Sequence, residues 1–299
     1  MIQELKHYRG LFCESYLLRE LGLQACLYLE YRGKEAKMTQ EERRIWLIQE
    51  LQKEMPEYAH YPIPKTSEEQ WRLLRGLFNV RKPKEASEDF LKIQDSFLQE
   101  MTREKGVVDG DSLETTALDK RLVLWQGDIS TLKVDAIVNA CNSALLGCFI
   151  PNHNCIDNVE HSMAGVQMRY ACFRQMQEQG YEEANGQCKI TPGYNLPAKY
   201  VLHTVGPIVQ GELTEKEVED LKSCYRACLT KATEAKCKSI AFGCISTGVF
   251  MFPKDRAAEI AVSTVREWLD AHPESTVERA IFNVFTEEDK GIYEELLKG

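Results

Sequence analysis

Between Asn139 and Gly165 the chain reads NACNSALLGCFIPNHNCIDNVEHSMAG, which places Cys148, His153 and Cys155 at spacing C-x4-H-x-C. Thiolate sulfur and imidazole nitrogen are the donors zinc favours, and a one-residue gap in an irregular loop lets His153 and Cys155 turn toward one point. Three protein ligands leave one coordination position open, the pattern of a catalytic rather than a purely structural ion. No second pair such as CxxC accompanies them, so two buried thiols and a solvated histidine stand as the alternative. Asp157 and His161 form a rival pair at i and i+4 on the segment that follows, with donors suited to a weaker site.

The other candidates are polar groups at the ends of apolar runs. Asp128, with the Ile129 N–H beside it, can accept from an exocyclic amine or can cap a turn. Asn139 and Asn142 bracket the entry to the cysteine loop; their amides suit ribose hydroxyls, though loop asparagines are also turn formers. In Ser246-Thr247-Gly248-Val249-Phe250 the glycine permits close backbone approach, and the loop's N–H groups can cradle a diphosphate ahead of a helix near Pro253, unless this is a plain strand-to-helix turn. Cys141, Cys172, Cys188, Cys224, Cys228, Cys237 and Cys244 stand in apolar or helical company and read as inert core thiols. His203, inside a strand pattern, reads as a hydrogen-bonded core histidine.

The elements that must hold these residues fall into two kinds. From Leu11 to Phe97 apolar residues recur at helical spacing: Tyr16 to Leu29 first, then a capping box at Thr39 and Glu42 before Ile45, Trp46, Ile48, Leu51 and Met55. After Pro62 and Pro64 a restart at Ser67 and Gln70 carries Trp71, Leu73, Leu74 and Leu77, and a further helix runs from Ser87 to Met101. The polar, turn-rich segment Thr102–Asp119 marks the boundary, giving a helical extension at 1–112 and a second unit at 113–299. There Arg121–Gly127, Asp135–Ala140, Tyr200–Val205, Ser239–Ile245 and Arg279–Phe285 read as buried strands. Helical patterns at Ile156–Gly180, Thr214–Ala235, Pro253–Ala271 and Thr286–Lys298 alternate with them, which predicts a parallel or mixed sheet covered on both faces.

The formal charge of -9 over 299 residues argues against binding a nucleic-acid backbone, while an anionic small ligand remains open to backbone donors. Charges at Glu4, Lys6 and Arg9 break any secretory apolar region, no stretch reaches membrane-spanning length, and the odd count of 11 cysteines points to reduced thiols, so the cytoplasm is expected.

Taken together, VNACNSALLG at 138–147, ITPGYNLPAKYVLHTVGP at 190–207 and CISTGVFMFP at 244–253 resemble the macrodomain family of ADP-ribose binders, over roughly residues 115–299. The chain is most similar to its zinc-containing microbial branch of protein-ADP-ribose hydrolases, which carry an amino-terminal helical extension. That resemblance implies a three-layer α/β/α sandwich with a mixed central sheet, preceded by a small helical domain, and zinc as cofactor on Cys148, His153 and Cys155. It also implies that Asp128 and the Ile129 backbone take the adenine, Ser246 to Phe250 wrap the diphosphate, and Asn142 and Asp157 are catalytic at the distal ribose, with Asn139 substrate-binding. Cys141 and Met251 depart from the alanine and glycine common in the family, without removing a polar contact. The implied substrate is an ADP-ribosylated protein, with a sirtuin-type transferase and a lipoyl-carrier protein as associated partners. A non-catalytic ADP-ribose reader and an O-acyl-ADP-ribose deacylase are the alternative functions. The whole site is expected after residue 120.

Overall fold

A computed structural model describes residues 38–299; the apolar segment expected from Tyr16 to Leu29 lies outside them. The described residues begin with three helices: α1 (Gln40–Glu54), α2 (Ser67–Val80) and α3 (Glu88–Lys105). The expected capping box closes α1, with Glu42 N–H donating to Thr39 Oγ1 at 3.2 Å and Thr39 N–H to Glu42 Oε2 at 2.7 Å. At α2 the cap is Thr66, not Ser67, because Glu69 N–H reaches the Thr66 hydroxyl and Gln70 turns inward to accept from Arg44 at 2.8 Å. Leu47, Ile48, Leu51, Leu74, Phe97 and Leu98 are almost wholly removed from water, so the apolar stripes of all three helices meet.

After a short paired strand, β1 (Val108–Asp109), the remaining elements are β2 (Leu122–Gln126), β3 (Leu132–Lys133), β4 (Ala136–Cys141), α4 (Ile156–Ala164), α5 (Val166–Gln179), β5 (Cys188–Pro192), β6 (Tyr200–Val205), α6 (Glu215–Glu234), β7 (Ser239–Phe242), α7 (Lys254–Ala271), β8 (Arg279–Val284) and α8 (Glu287–Leu296). The six-stranded sheet has order β2-β8-β7-β4-β6-β5, parallel except for β5 against β6. Along each central strand neighbouring residues serve opposite cores: Ile137, Val201, Ala241 and Ile281 face α4 and α5, whereas Val138, Leu202, Phe242 and Phe282 face α6, α7 and α8. Both faces are buried, which is why these strands read as unbroken apolar runs.

Two further features depart from the sequence expectation. The helix foreseen over Ile156–Gly180 is two helices, because Gly165 has φ +96°, a backbone no helix accepts. The edge strand β5 is short, ends in Pro192 and was not expected; its antiparallel pairing makes the sheet mixed.

The helical unit lies against the α4 and α5 face. Trp71 and Met101 pack against both cores, and Val166 of α5 joins the helical one. Since Gly165 offers no capping side chain, Gln94 of α3 supplies the acceptor for Val166 N–H at 2.9 Å, itself fully buried. Gln94→Leu therefore strands that donor. It is expected to lower stability by about 1–3 kcal/mol, read as a shift of the urea midpoint with the slope unchanged.

Candidate functional site

A cleft of about 640 Å³ opens at the carboxyl ends of β2, β4, β7 and β8, large enough for a nucleotide-sized ligand. One wall is Asp128 and Ile129, another is residues 246–250, and Asn154, Cys155 and Ile156 close it from the cysteine loop. All its lining residues follow residue 120, although side chains of the helical unit reach its walls.

Asp128 is the N-cap of a 3-10 turn, accepting from Ser130 N–H at 3.0 Å and Ser130 Oγ at 2.6 Å. Its second oxygen meets Lys105 Nζ at 3.3 Å, so a residue of the helical unit touches this corner. Burial pushes the carboxyl up, but the Ser130 bonds and Lys105 outweigh it and the net direction is down, leaving a carboxylate. At 246–250 the backbone folds tightly, Ser246 taking φ +66° with a buried hydroxyl that has no partner among the described residues. Among the described residues the N–H groups of Gly248, Val249 and Phe250 have no protein acceptor, and nothing lies within 4 Å of where a Gly248 side chain would sit. Cleft-wall donors of this kind suit an anion.

The ligand atoms of Cys148, His153 and Cys155 lie within 4.8 Å of one another, with Cys148 Sγ 3.7 Å from His153 Nδ1. Bonds of about 2.3 Å to sulfur and about 2.0 Å to nitrogen at a tetrahedral ion put such atoms about 3.6 Å apart, so the donor set fits zinc. Cys155 also caps α4, its sulfur accepting from Asn158 N–H at 3.4 Å. Burial pushes its thiol up to about 12, with the Asn158 bond pulling the other way.

The structure places the other named residues behind this wall. Asn142 serves the turn, accepting from Ala144 N–H at 3.1 Å and donating to Gly147 O at 3.3 Å. Asn139 has no exposed surface and donates to Asp157 Oδ1 at 2.8 Å, beside His203 Nδ1 at 3.2 Å. Asp157 is 5% exposed; burial lifts it to about 6, against the Asn139 bond and Arg169. His161 lies 3.5 Å from Asp157, yet burial, and then Arg169 and His203, hold the imidazole well below its usual range, so the contact is not an ion pair at neutral pH. Its ring underlies Gly147, whose φ of +77° and 2.9 Å approach leave no room for a side chain. Glu160, fully buried with neither oxygen paired among the described residues, is driven well above the usual carboxylate range by that burial, with Asp157 and Asp128 acting in the same sense.

His161, Cys172 and His203 form a second cluster within 4.8 Å. Both His203 ring nitrogens are engaged, Nε2 with Thr191 Oγ1 at 2.9 Å and Nδ1 with the Asn139 amide, so the cluster is a polar core rather than a ligand set. His203 is the core histidine its strand position predicted, and the thiols of Cys141, Cys172, Cys224, Cys228 and Cys237 are buried with raised pKa.

Sequence reasoning missed the contribution of α2. Arg75 and Asn79 both bond to the cysteine loop, and Gly76 between them lies against Asn152 and Pro151. The available signal was a polar face, Arg75-Gly76-Asn79, opposite the apolar stripe of α2. Phe285 and Lys254, also unforeseen, line the cleft beside Asp289.

The Macro domain family model matches residues 138–261. A protein-ADP-ribose hydrolase of Treponema medium is 51% identical over 262 residues, 87% of this chain and 100% of the relative. One of Staphylococcus aureus (strain MRSA252) is 46% identical over 254 residues, 85% and 94%. A probable bifunctional ADP-ribose hydrolase/ADP-ribosyltransferase of Fusarium oxysporum f. sp. cubense is 44% identical over 75% of this chain and 40% of its own. Among solved structures, the Trypanosoma brucei macrodomain in complex with ADP-ribose superposes with TM-score 0.57 at 27% identity, covering 78% of this chain and 96% of that one.

Burial alone drives His203 down to about 3, so the folded chain refuses a proton that the unfolded chain takes at about 6.5. Its contribution to stability is complete above about pH 6.5 and is lost as pH falls toward 3, at about 1.4 kcal/mol per pH unit. In His203→Gln the dependence of unfolding free energy on pH is expected to be shallower by that amount across this window. Equal slopes in denaturant titrations would mean that His203 is protonated in the fold.

Proposed function

Because the chain belongs to the macrodomain family, we propose that its cleft takes ADP-ribose carried on a protein side chain, and that Cys148, His153 and Cys155 hold a zinc ion beside the bond that is cut. The chain is a protein-ADP-ribose hydrolase, the activity named for relatives 46% and 51% identical to it over most of its length. The observation that carries the metal reading is the position of Cys155, whose thiol belongs to the ligand group and whose residue lines the cleft. The residues that would hold the ion therefore stand at the wall of the cleft.

In this reading the Asp128 carboxylate accepts from the adenine amine through the oxygen that also meets Lys105, the other being held by Ser130, with the Ile129 N–H on the same ring. The N–H groups of Gly248, Val249 and Phe250 donate to the diphosphate, with Ser246 and Thr247 shaping the turn, which suits an acidic chain that has few cations in the cleft. The distal ribose then points at the cysteine loop. When bound, zinc supplies Lewis acidity to a water or a distal-ribose oxygen. Asp157, lifted to about 6 by burial, can take or return a proton near neutrality as water attacks the anomeric carbon and the side-chain oxygen or nitrogen departs. Asn139 orients Asp157, and Asn142 holds the turn on which the loop stands and, once a ribose arrives, offers it an amide.

In this scheme 113–299 is the ADP-ribose-binding unit and 1–112 the extension, of which residues 38–112 are described. The fused hydrolase and transferase of the Fusarium relative favours a transferase as companion, here of the sirtuin type with a lipoyl-carrier protein as acceptor. No helix among the described residues is long and apolar enough to cross a membrane, and the free cysteines fit a cytoplasmic setting.

The test pairs metal analysis with turnover on Asp/Glu-, Ser- and Arg-linked ADP-ribosyl substrates. Cys148→Ala, His153→Ala and Cys155→Ala are each expected to lose zinc and several orders of magnitude in turnover while keeping ADP-ribose affinity, since adenine and diphosphate contacts lie elsewhere. Full activity in zinc-free Cys155→Ala ends the catalytic role of the metal. A wild type that binds ADP-ribose but cleaves no linkage is a reader. Asp128→Ala should weaken ADP-ribose binding by about 1–3 kcal/mol in calorimetry.

A further inference from the structure

We propose, resting on the metal reading above, that the helical unit is part of the metal site: Arg75 and Asn79 of α2 are positioning residues that hold the Cys148–Cys155 loop in its ligating shape. The loop is eight residues without regular structure, and such a segment is a poor chelator unless something fixes its backbone. Among the described residues, three side chains hold its backbone by hydrogen bonds. Arg75 Nη2 donates to His153 O at 2.6 Å, and Asn79 Oδ1 accepts from Asn152 N–H at 2.9 Å, so the backbone on both sides of the histidine's nitrogen is tied to one helix. The third anchor, Asn158 of α4, donates to Cys148 O at 3.3 Å and Ile150 O at 2.9 Å.

Arg75 governs that third anchor as well. It donates to Asn158 Oδ1 at 2.8 Å, which leaves the amide nitrogen to face the loop, and Asn158 N–H in turn reaches Cys155 Sγ. Ser162 closes the set, accepting from Asn79 Nδ2 at 2.9 Å and from Arg75 Nε at 3.4 Å. Gly76 allows the close approach, since a side chain there would come 3.3 Å from the Asn152 amide. From the other direction, Arg169 of α5 donates to Phe78 O, Asn79 O and Arg81 O at 3.0, 2.7 and 2.6 Å and lies 4.3 Å over the Phe149 ring, so one guanidinium joins the end of α2 to the start of the loop.

The experiment measures zinc affinity by competition with a chromophoric chelator on the full chain, together with kcat and KM and hydrogen exchange of residues 148–155. Arg75→Ala and Asn79→Ala are expected to lower zinc affinity about 10–100-fold, to lower kcat at limiting zinc with KM little changed, and to speed exchange in the loop. ADP-ribose affinity should stay within about twofold. Arg75→Lys, which can still reach His153 O but cannot also orient Asn158, should fall between wild type and Arg75→Ala. Arg44→Ala is the control for simple softening, because among the described residues Arg44 bonds within the helical unit, to Gln70 and Ser67. Wild-type zinc affinity and loop exchange in folded Arg75→Ala and Asn79→Ala would overturn the proposal, as would an equal loss in Arg44→Ala at matched stability. A wild type that takes up no zinc overturns the metal reading instead, and bracing then stands or falls on the exchange data alone.

Discussion

A buried guanidinium has to be met by acceptors, and in this protein that demand joins the two units. Arg169, 5% exposed, finds three carbonyls at the end of α2, groups that a helix terminus leaves without internal partners. Burial pulls its pKa to about 10, with Asp157 acting in the opposite sense, so it stays charged at neutral pH. Removing one side of such an arrangement leaves an uncompensated charge or orphaned carbonyls, a loss of about 3–5 kcal/mol by the usual measure. Because the same side chain stacks on Phe149, the docking of the helices, the C-terminus of α2 and the start of the cysteine loop are coupled through one group.

Behind the loop lies a layer of polar side chains that is unusual for a core. Asn139, Asp157, His161 and His203 are buried at the junction of β4, α4 and β6, and each depends on another for hydrogen bonding or for its protonation state. Burial holds both imidazoles neutral and raises the carboxyls of Asp157 and Glu160, and both shifts reduce the charge buried in this layer, which is how it is tolerated. The cleft itself needs few cations. An acidic protein can still receive an anion where backbone N–H groups and a helix start supply partial charges.

What the residues alone determined is the short-range part. Period-3.6 patterns located the helices and continuous apolar runs the five parallel strands, since runs buried on both faces have one reading in that setting. The C-x4-H-x-C spacing and the two loops at 128–129 and 246–250 were legible because they lie next to strand ends in the chain, and three motifs in order carried the family. Gly165 was visible as a letter but not as a break, because a glycine inside a periodic segment does not declare its φ.

Tertiary structure decided the rest, and for one reason: hydrogen bonds between residues far apart in sequence leave no periodic trace. Arg75 meets His153 across 78 residues, and Gln94 caps Val166 across 72. Asn139 looked like a loop amide and became a buried partner of Asp157, because the parallel register of β4 and β6 sets it opposite His203 beneath α4. Asn142 and Asp128 each had a turn-capping alternative in sequence, and the fold uses both side chains in that way while leaving Asp128 one oxygen at the cleft. The cleft and the packing of the helical unit on the cysteine loop exist only once the chain is compact, since each needs surfaces from elements that the sequence keeps apart.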